Sequence, residues 1–512
     1  MRVLVFHGYL LAGTGSNVYN SALAEALVRG GHEVHLLCQD RDPLALEWVD
    51  AAGDWDGGSL AVEVRREPAR ATVYRPDIGG VLPLYVADRY EGFDARPFQD
   101  LSEPELARYL EANVAAVREV AERARPDVAL ANHLVMGPVV LARALAEAGV
   151  PYAVKIHGSA LEYTVKPHPR FKPYAREGLE RARGILVGSR HTAESLWTEM
   201  ADPTVEPRTR LGPPGVDVER FAPRDPEAAR EGLEALRRRL VALAVPAGPV
   251  APPGDSFARS PGEAAAALAT IEPQDRLVVF VGKLIASKGV ELLLAAWPLV
   301  LAREPRARLL IVGFGAFREG LEGLADDLAR GDLEAARARR GEHGGELPHL
   351  AAFLDALEDA DAYRAAARGM TSRIAWAGRL DHAELTDVLP AAEAMAVPST
   401  FPEAFGMVAA EAAACGALPV VAAHSGLAEV ARTLGAAAPE AARDWLSFEV
   451  GPGAVRELAA DLSSWLEAPD DVRAATRAAI VAATRETYSW DGVARSVIAA
   501  ARGELEGLPR PE

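Results

Sequence analysis

Two carboxylates and two ammonium groups in the second half of the chain have the types and spacing for chemistry. Glu403 and Glu411 lie in Val-Pro-Ser-Thr-Phe-Pro-Glu-Ala-Phe-Gly-Met-Val-Ala-Ala-Glu, from Val397 onward. The apolar run 394–397 predicts a buried strand, 398–402 a turn, 404–415 a helix stopped by Gly416, and 418–422 the next strand. A strand end, a loop and a helix N-terminus thus meet at Glu403. The N–H groups of Phe405, Gly406 and Met407 would point out of the first turn, where the helix dipole favours an anion. Along a helix Glu403 and Glu411 stand roughly 12 Å apart at 1.5 Å per residue. That is wider than the about 5 to 9.5 Å of a glycosidase acid pair. The two acids read better as hydroxyl acceptors with a phosphate-sized gap between them, which is the form of a nucleotide sugar. The ammonium groups come from Gly282-Lys283-Leu284-Ile285-Ala286-Ser287-Lys288-Gly289, a loop between a strand at 277–281 and a helix at 290–303. Its spacing is not that of a Walker A loop. Of 55 basic residues only five are lysine, namely Lys155, Lys166, Lys172, Lys283 and Lys288, all in two short patches. Lysine kept where arginine is the default suggests that a compact ammonium is wanted.

Glu403-x7-Glu411 within Pro402-Glu403-Ala404-Phe405-Gly406-Met407 resembles the E-x7-E motif of retaining nucleotide-sugar glycosyltransferases, glycosyltransferase family 4, of GT-B fold. The spacing alone arises readily on an Ala/Glu-rich helix. Pro402, Phe405, Gly406 and the following Gly416-x-x-Pro-Val-Val strand make the match specific. The family's Gly-Arg-x4-Lys-Gly is met at Gly282 to Gly289, with Lys283 replacing the arginine and so offering a point charge instead of a fork. The resemblance implies that Lys283, Lys288 and the turn of Ala404, Phe405, Gly406 and Met407 hold the donor diphosphate. It implies that Glu403 meets donor-sugar hydroxyls and Glu411 the ribose, that Gly313 and Gly315 allow close ligand approach, and that the loop of Arg379 and Leu380 borders the base. In the first half, His157-Gly158 matches a histidine-glycine pair at a strand end, and Gly15 belongs to the glycine-rich loop that nears the phosphates and acceptor. His157, Lys283, Lys288 and Glu403 are the expected catalytic set. The resemblance further implies retention of configuration, a UDP-sugar co-substrate, no required cofactor or metal, and a small-molecule, lipid or glycan acceptor. A nucleotide-sugar epimerase, a phosphorylase and a non-catalytic nucleotide-sugar sensor remain open alternatives at this stage.

These residues need scaffolds to position them. The 512 residues exceed one core, so two or more domains are expected. The expected fold is α/β, of GT-B type, with two Rossmann-like domains of parallel sheet facing across a cleft, plus helical insertions. Residues 1–223 are assigned to an acceptor domain, 224–275 to an insertion and linker, and 276–488 to a donor domain with a helical insertion at 325–370. Residues 489–512 are expected to return as a helix onto the first domain. The opening 2–6 strand, 16–29 helix and 33–38 strand make a βαβ unit. Its loop Gly13-Thr14-Gly15-Ser16-Asn17-Val18 lacks the third glycine of a dinucleotide fingerprint. Residues 40–98 read as irregular, with short strands at 60–64 and 72–75. Lys155, Lys166 and Lys172 are candidates to attract a charged acceptor, or else surface lysines. Asp359-Ala360-Asp361 and Asp54-Trp55-Asp56 have metal-motif spacing but read as solvated positions.

A net charge of −18 argues against a nucleic-acid partner. Hydrophobic content of 49% and charged content of 25% are ordinary for a soluble globular chain. Two cysteines, Cys38 and Cys415, suit a reducing compartment. No transmembrane helix is predicted, and a strand at 2–6 leaves no room for a leader peptide. The expected location is cytoplasmic, with peripheral membrane contact open.

Overall fold

The computed structural model describes residues 1–11, 15–56, 58–85, 93–244 and 259–511. Gly13 and Thr14 of the glycine loop, and most of the Pro/Gly/Ala-rich stretch at 246–261, lie outside the described residues. The chain forms two units, Met1–Gly215 with Tyr488–Glu512, and Val216–Thr487. Residues 216–223, expected with the first domain, therefore group with the second.

The first unit contains β1 (Arg2–Phe6), β2 (Glu33–Leu37), β3 (Ala51–Asp56), β4 (Ser59–Val64), β5 (Ala71–Arg75), β6 (Val81–Leu84), β7 (Asp94–Pro97), β8 (Val128–Asn132), β9 (Tyr152–Ile156), β10 (Gly184–Val187) and β11 (Thr209–Leu211). Nine of them form one sheet in the order β11-β10-β9-β8-β1-β2-β5-β3-β4, and β6 pairs with β7. Among the described residues only β3 and β4 pair antiparallel. Buried parallel strands read as continuous apolar runs, and β8 and β9 are buried at every position. The stretch 40–98 supplies β4 and β5, close to the strands expected at 60–64 and 72–75, and also β3, β6 and β7, where irregular chain was expected. Those three carry a weak signal, because β3 reads Ala-Ala-Gly-Asp-Trp-Asp and β6 and β7 are short and contain proline. Helix Trp490–Arg502 packs on β8, β9 and β10 and on helix Gly15–Arg29, with Trp490, Val497 and Ala500 buried in the same core as Tyr19 and Leu23.

The second unit contains β12 (Arg276–Val281), β13 (Ala307–Val312), β14 (Ile374–Gly378), β15 (Ala394–Val397), β16 (Leu418–Ala422) and β17 (Ser447–Phe448). They form one parallel sheet in the order β14-β13-β12-β15-β16-β17. The described part of 224–275, assigned to an insertion and linker, packs into the second unit. Helices Pro226–Ala244 and Pro261–Ala269 pack on each other, and then on helix His382–Val388 and β14 respectively. Every third or fourth residue of the charged helix is apolar, and Leu236 and Leu240 are fully buried. The insertion also starts later than 325, because helix Arg318–Arg330 buries Leu321, Leu324 and Leu328 as a regular layer helix.

Candidate active site

In the second sheet the strand order reverses between β12 and β15. Loops leaving the carboxyl ends of the strands at such a reversal diverge and leave a crevice. Here those loops are 282–289 and 398–406, so the reversal joins the two lysines to Glu403. Ser287 accepts from the Thr400 N–H at 3.0 Å. Gly289 has φ +66, and a Cβ there would fall 1.9 Å from the Pro398 carbonyl oxygen. Only glycine lets the loops meet this closely.

The Lys288 ammonium donates to Glu403 Oε1, and Ser399 Oγ donates to the same oxygen at 2.7 Å. The Glu403 N–H donates to Ser425 Oγ at 2.8 Å. His424 closes the ring, with Nδ1 3.0 Å from the Ser425 hydroxyl and Nε2 donating to the Ser399 carbonyl at 2.7 Å. Burial alone would raise the Glu403 carboxyl, but the charge and hydrogen bond of Lys288, with Ser399, outweigh it and hold the pKa below the usual value. Glu403 is thus an ionised, oriented acceptor whose Oε2 carries neither of these bonds. Ser399, His424 and Ser425 were not expected. Their one sequence signal is position, since 399 follows β15 and 424–425 follow β16 at the same sheet edge. Lys283 is half-buried in the same loop as Lys288.

The helix carrying Glu411 runs Met407–Ala414, with Gly406 as its cap at φ +108, and not 404–415 as expected. Ala404 and Phe405 are held in the preceding turn, where the Gly426 N–H donates to the Glu403 carbonyl at 2.9 Å. The first-turn amides of the helix are therefore those from Met407 onward. Glu411 is 3% exposed and accepts from His382 Nε2 at 2.8 Å. His382 was missed because it reads as an ordinary first residue of a helix, capped by Asp381 and Glu384. Burial lowers the His382 pKa, but the charge and hydrogen bond of Glu411 prevail and raise it. Just before it, Leu380 is buried and Arg379 reaches Asp381 at 3.4 Å. Gly313 and Gly315 lie against the Lys283 loop. A Cβ would meet the Gly282 oxygen at 2.1 Å from Gly313 and the Leu284 oxygen at 2.4 Å from Gly315. The close approach they permit is that of the Lys283 loop itself.

The first sheet reverses its strand order between β1 and β8. His7, His133 and His157 each follow directly on β1, β8 and β9. His157 Nε2 donates to Asn132 Oδ1 at 2.8 Å, and Gly158 turns the chain at φ +89. His7 donates from Nε2 to Asn17 Oδ1 at 2.9 Å and accepts at Nδ1 from Asn20 at 3.0 Å. Burial pushes its pKa down to about 4, so it is neutral. Gly15 opens the helix that brings Asn17 and Asn20 to it. His133 is 2% exposed, has φ +68, and lies 4.5 to 5.9 Å from the rings of Tyr85, His157, Tyr9 and His7. Neither of its ring nitrogens has a hydrogen-bond partner among the described residues. Burial, then the repulsion of His7, hold its pKa well below the usual imidazole value.

Lys155 is no surface lysine. It is 2% exposed, donates to the Gly212 carbonyl, and burial pushes its pKa down to about 7. Lys166 pairs with Glu162 and Lys172 with Glu199, each at 2.8 Å. Asp359 caps a helix by accepting from the Ala362 N–H, while Asp361 is exposed and pairs with Arg364. Asp54 pairs with Arg75 at 2.7 Å.

Comparison with known proteins gives two family matches. Residues 14–205 match the Glycosyl transferase 4-like domain and residues 358–482 match Glycosyl transferases group 1. A D-inositol 3-phosphate glycosyltransferase of Segniliparus rotundus is 32% identical over 266 residues, covering 50% of this chain and 47% of the relative. The match thus spans about half of that relative's length. The Actinosynnema mirum protein of the same name is 27% identical over 427 residues, covering 79% and 80%. Among solved structures, sucrose-phosphate synthase from Thermosynechococcus elongatus superposes with TM-score 0.58 at 19% identity, over 98% of this chain and 99% of its own. Anabaena Alr3699/HepE in complex with UDP and glucose gives 0.57 at 15% identity, over 99% and 100%.

Proposed function

We propose that this chain is a glycosyltransferase of GT-B fold that moves a sugar from a nucleoside diphosphate to an acceptor hydroxyl with retention of configuration. The observation that carries the reading is the convergence of Lys283, Lys288, Glu403 and the start of helix Met407–Ala414 at one sheet reversal. The two ammonium groups and the helix dipole face the charge that grows on a departing diphosphate, so the reading requires no metal. Ionised Glu403, fixed by Lys288 and Ser399, accepts from sugar hydroxyls. Glu411, oriented by His382, accepts from the ribose, and Arg379 with Leu380 borders the base. The sugar C1–O bond to phosphate breaks through an oxocarbenium-like transition state. The acceptor oxygen bonds to C1 on the same face, and its proton passes to the leaving phosphate oxygen. No separate base is assigned.

The acceptor is assigned to the carboxyl edge of the first sheet, where His157 and the neutral His7 and His133 stand. UDP is the proposed nucleotide, in keeping with the UDP complex of the Anabaena protein, and inositol phosphate is the first acceptor to test, in keeping with the relatives' names. No helix among the described residues is long and apolar enough to cross a membrane. A thermal-shift screen of UDP-, GDP- and ADP-sugars, followed by assay of nucleotide release with and without polyol acceptors, tests the reading. Stabilisation by one nucleotide family and acceptor-dependent release are expected. Binding without release under any acceptor would make the chain a sensor, and release of epimerised donor without acceptor an epimerase.

A further inference from the structure

The stretch between helices Arg318–Arg330 and Pro348–Asp355 has no role in the reading above. It leaves Gly331 at φ +76, forms the short helix Leu333–Ala338, and then turns at 341–345. The turn is closed by the Gly341 N–H donating to the Gly345 carbonyl and the Gly344 N–H to the Gly341 carbonyl, both at 2.9 Å. It is anchored from behind, since Arg339 donates to Asp327 Oδ2 at 2.6 Å and Asp327 is 2% exposed. Leu347, Leu350 and Phe353 are buried just after it.

From this anchored turn Glu342 reaches the loop that bears Lys288. The Ala286 N–H donates to Glu342 Oε2 at 2.8 Å. The turn also abuts the loop directly, for a Cβ on Gly341 would stand 3.1 Å from the Ala286 Cβ. The short helical turn Ala286–Lys288 is thus gripped at consecutive residues by two parts of the chain, Ala286 by Glu342 and Ser287 by Thr400. Glu291, in the first turn of the following helix, is 4% exposed, and its Oε2 has no hydrogen-bond partner among the described residues. Burial, and then the charge of Glu342, hold its pKa up to about 8, so at neutral pH its protonated form dominates.

We infer that Glu342 is a positioning residue of the donor site, fixing the Ala286–Lys288 turn so that the Lys288 ammonium is presented to the diphosphate. The inference rests on the donor-site reading proposed above. Glu342 does this through a backbone N–H, so it needs an acceptor oxygen at that point and not contact with the donor.

The test uses the full chain and whichever nucleotide sugar the thermal-shift screen selects. Glu342→Ala should lower kcat about tenfold, the size of a lost hydrogen bond to a charged group, with the dissociation constant of the free nucleotide changed less than about threefold. Glu342→Gln should recover most of the loss, because the amide oxygen accepts from the same N–H. The discriminating readout is a double-mutant cycle. If Glu342 acts through Lys288, Lys288→Ala combined with Glu342→Ala should be no slower than Lys288→Ala alone. A fully multiplicative loss in the double variant, or wild-type kcat in Glu342→Ala, would overturn the inference alone. Tighter nucleotide binding by Glu342→Ala would overturn it too, because the carboxylate would then be competing with phosphate. No nucleotide binding by the wild type would overturn the donor reading and this inference with it.

Discussion

At the scale of residues, the candidate donor site is two carboxylates made unlike by their neighbours. Glu403 is held ionised by an ammonium and a hydroxyl on a single oxygen, whereas Glu411 is buried and tied to an imidazole. The roles proposed for Lys288, which holds Glu403, and for Glu411 separate in kinetics. Lys288→Ala removes a cation facing the leaving group and should lower kcat by about 10²-fold, the scale of one lost electrostatic contact to developing charge. Glu411→Ala removes a ground-state contact and should raise KM for the donor by about tenfold, the size of a hydrogen bond to a charged group, with a smaller effect on kcat. Initial rates of nucleotide release on both variants check this, and wild-type values for both would remove the assignment. A second prediction concerns pH. The His382 pKa is raised in the folded chain, by Glu411 and with a contribution from Asp217, against burial and the opposing charge of Arg220. Its stabilising effect is therefore full below the ordinary imidazole value and is lost as pH rises through the raised one. His382→Gln keeps a donor to Glu411 and removes the titration. The melting-temperature gap between wild type and this variant should narrow from about pH 5.5 to about pH 8.5. A gap that widens or stays constant over that range would show that the pair does not titrate as described.

At the scale of elements, the site depends on loops that approach each other more closely than side chains permit. Gly289→Ala puts a Cβ onto the Pro398 carbonyl oxygen and forces an alanine into φ +66. The expected cost is about 2–3 kcal/mol, the range of a backbone clash combined with strain, read as a lower urea midpoint. Nucleotide binding should weaken with it, because the clash separates the Lys288 loop from the Glu403 loop. An alanine variant of unchanged midpoint would mean that the loops relax apart at no cost. The same elements mark what was legible in the sequence. Strands β12 and β15 were found at nearly their true limits, because buried parallel strands advertise themselves as apolar runs bounded by glycine and proline. The helix at Met407 was placed three residues early, since alanine and phenylalanine do not oppose a helix and only the positive φ of Gly406 starts it there. Within 40–98 only β4 and β5 are legible, at 60–64 and 72–75, whereas the glycine, proline and polar residues of β3, β6 and β7 hide them. The network of Ser399, His424 and Ser425 is legible only as positions that follow β15 and β16. It joins loops distant in sequence, and hydroxyl and imidazole groups at strand ends have no spacing that betrays their partners.

At the scale of the whole molecule, the proposal divides labour between two units. The carboxyl edge of the second sheet carries Lys283, Lys288 and Glu403, with Glu411 on the helix that follows, whereas the carboxyl edge of the first carries neutral imidazoles, with Lys155 buried against a backbone carbonyl. A nucleoside diphosphate, with its negative charge, should therefore be held by Val216–Thr487 and not by Met1–Gly215. Binding to the native state alone stabilises by about 2.7 kcal/mol at a hundredfold excess over the dissociation constant, which amounts to roughly a hundredfold slowing of amide exchange where opening requires release of the ligand. Hydrogen exchange with saturating UDP should then show its strongest protection in 282–289 and 399–411, less in 379–388, and little at 7–11, 133 and 157. Adding the acceptor selected by assay should extend protection to those first-unit positions. Protection that begins in the first unit with UDP alone would reverse the assignment of donor and acceptor, since the charge of a free nucleotide would then have found a site that the described side chains do not offer it.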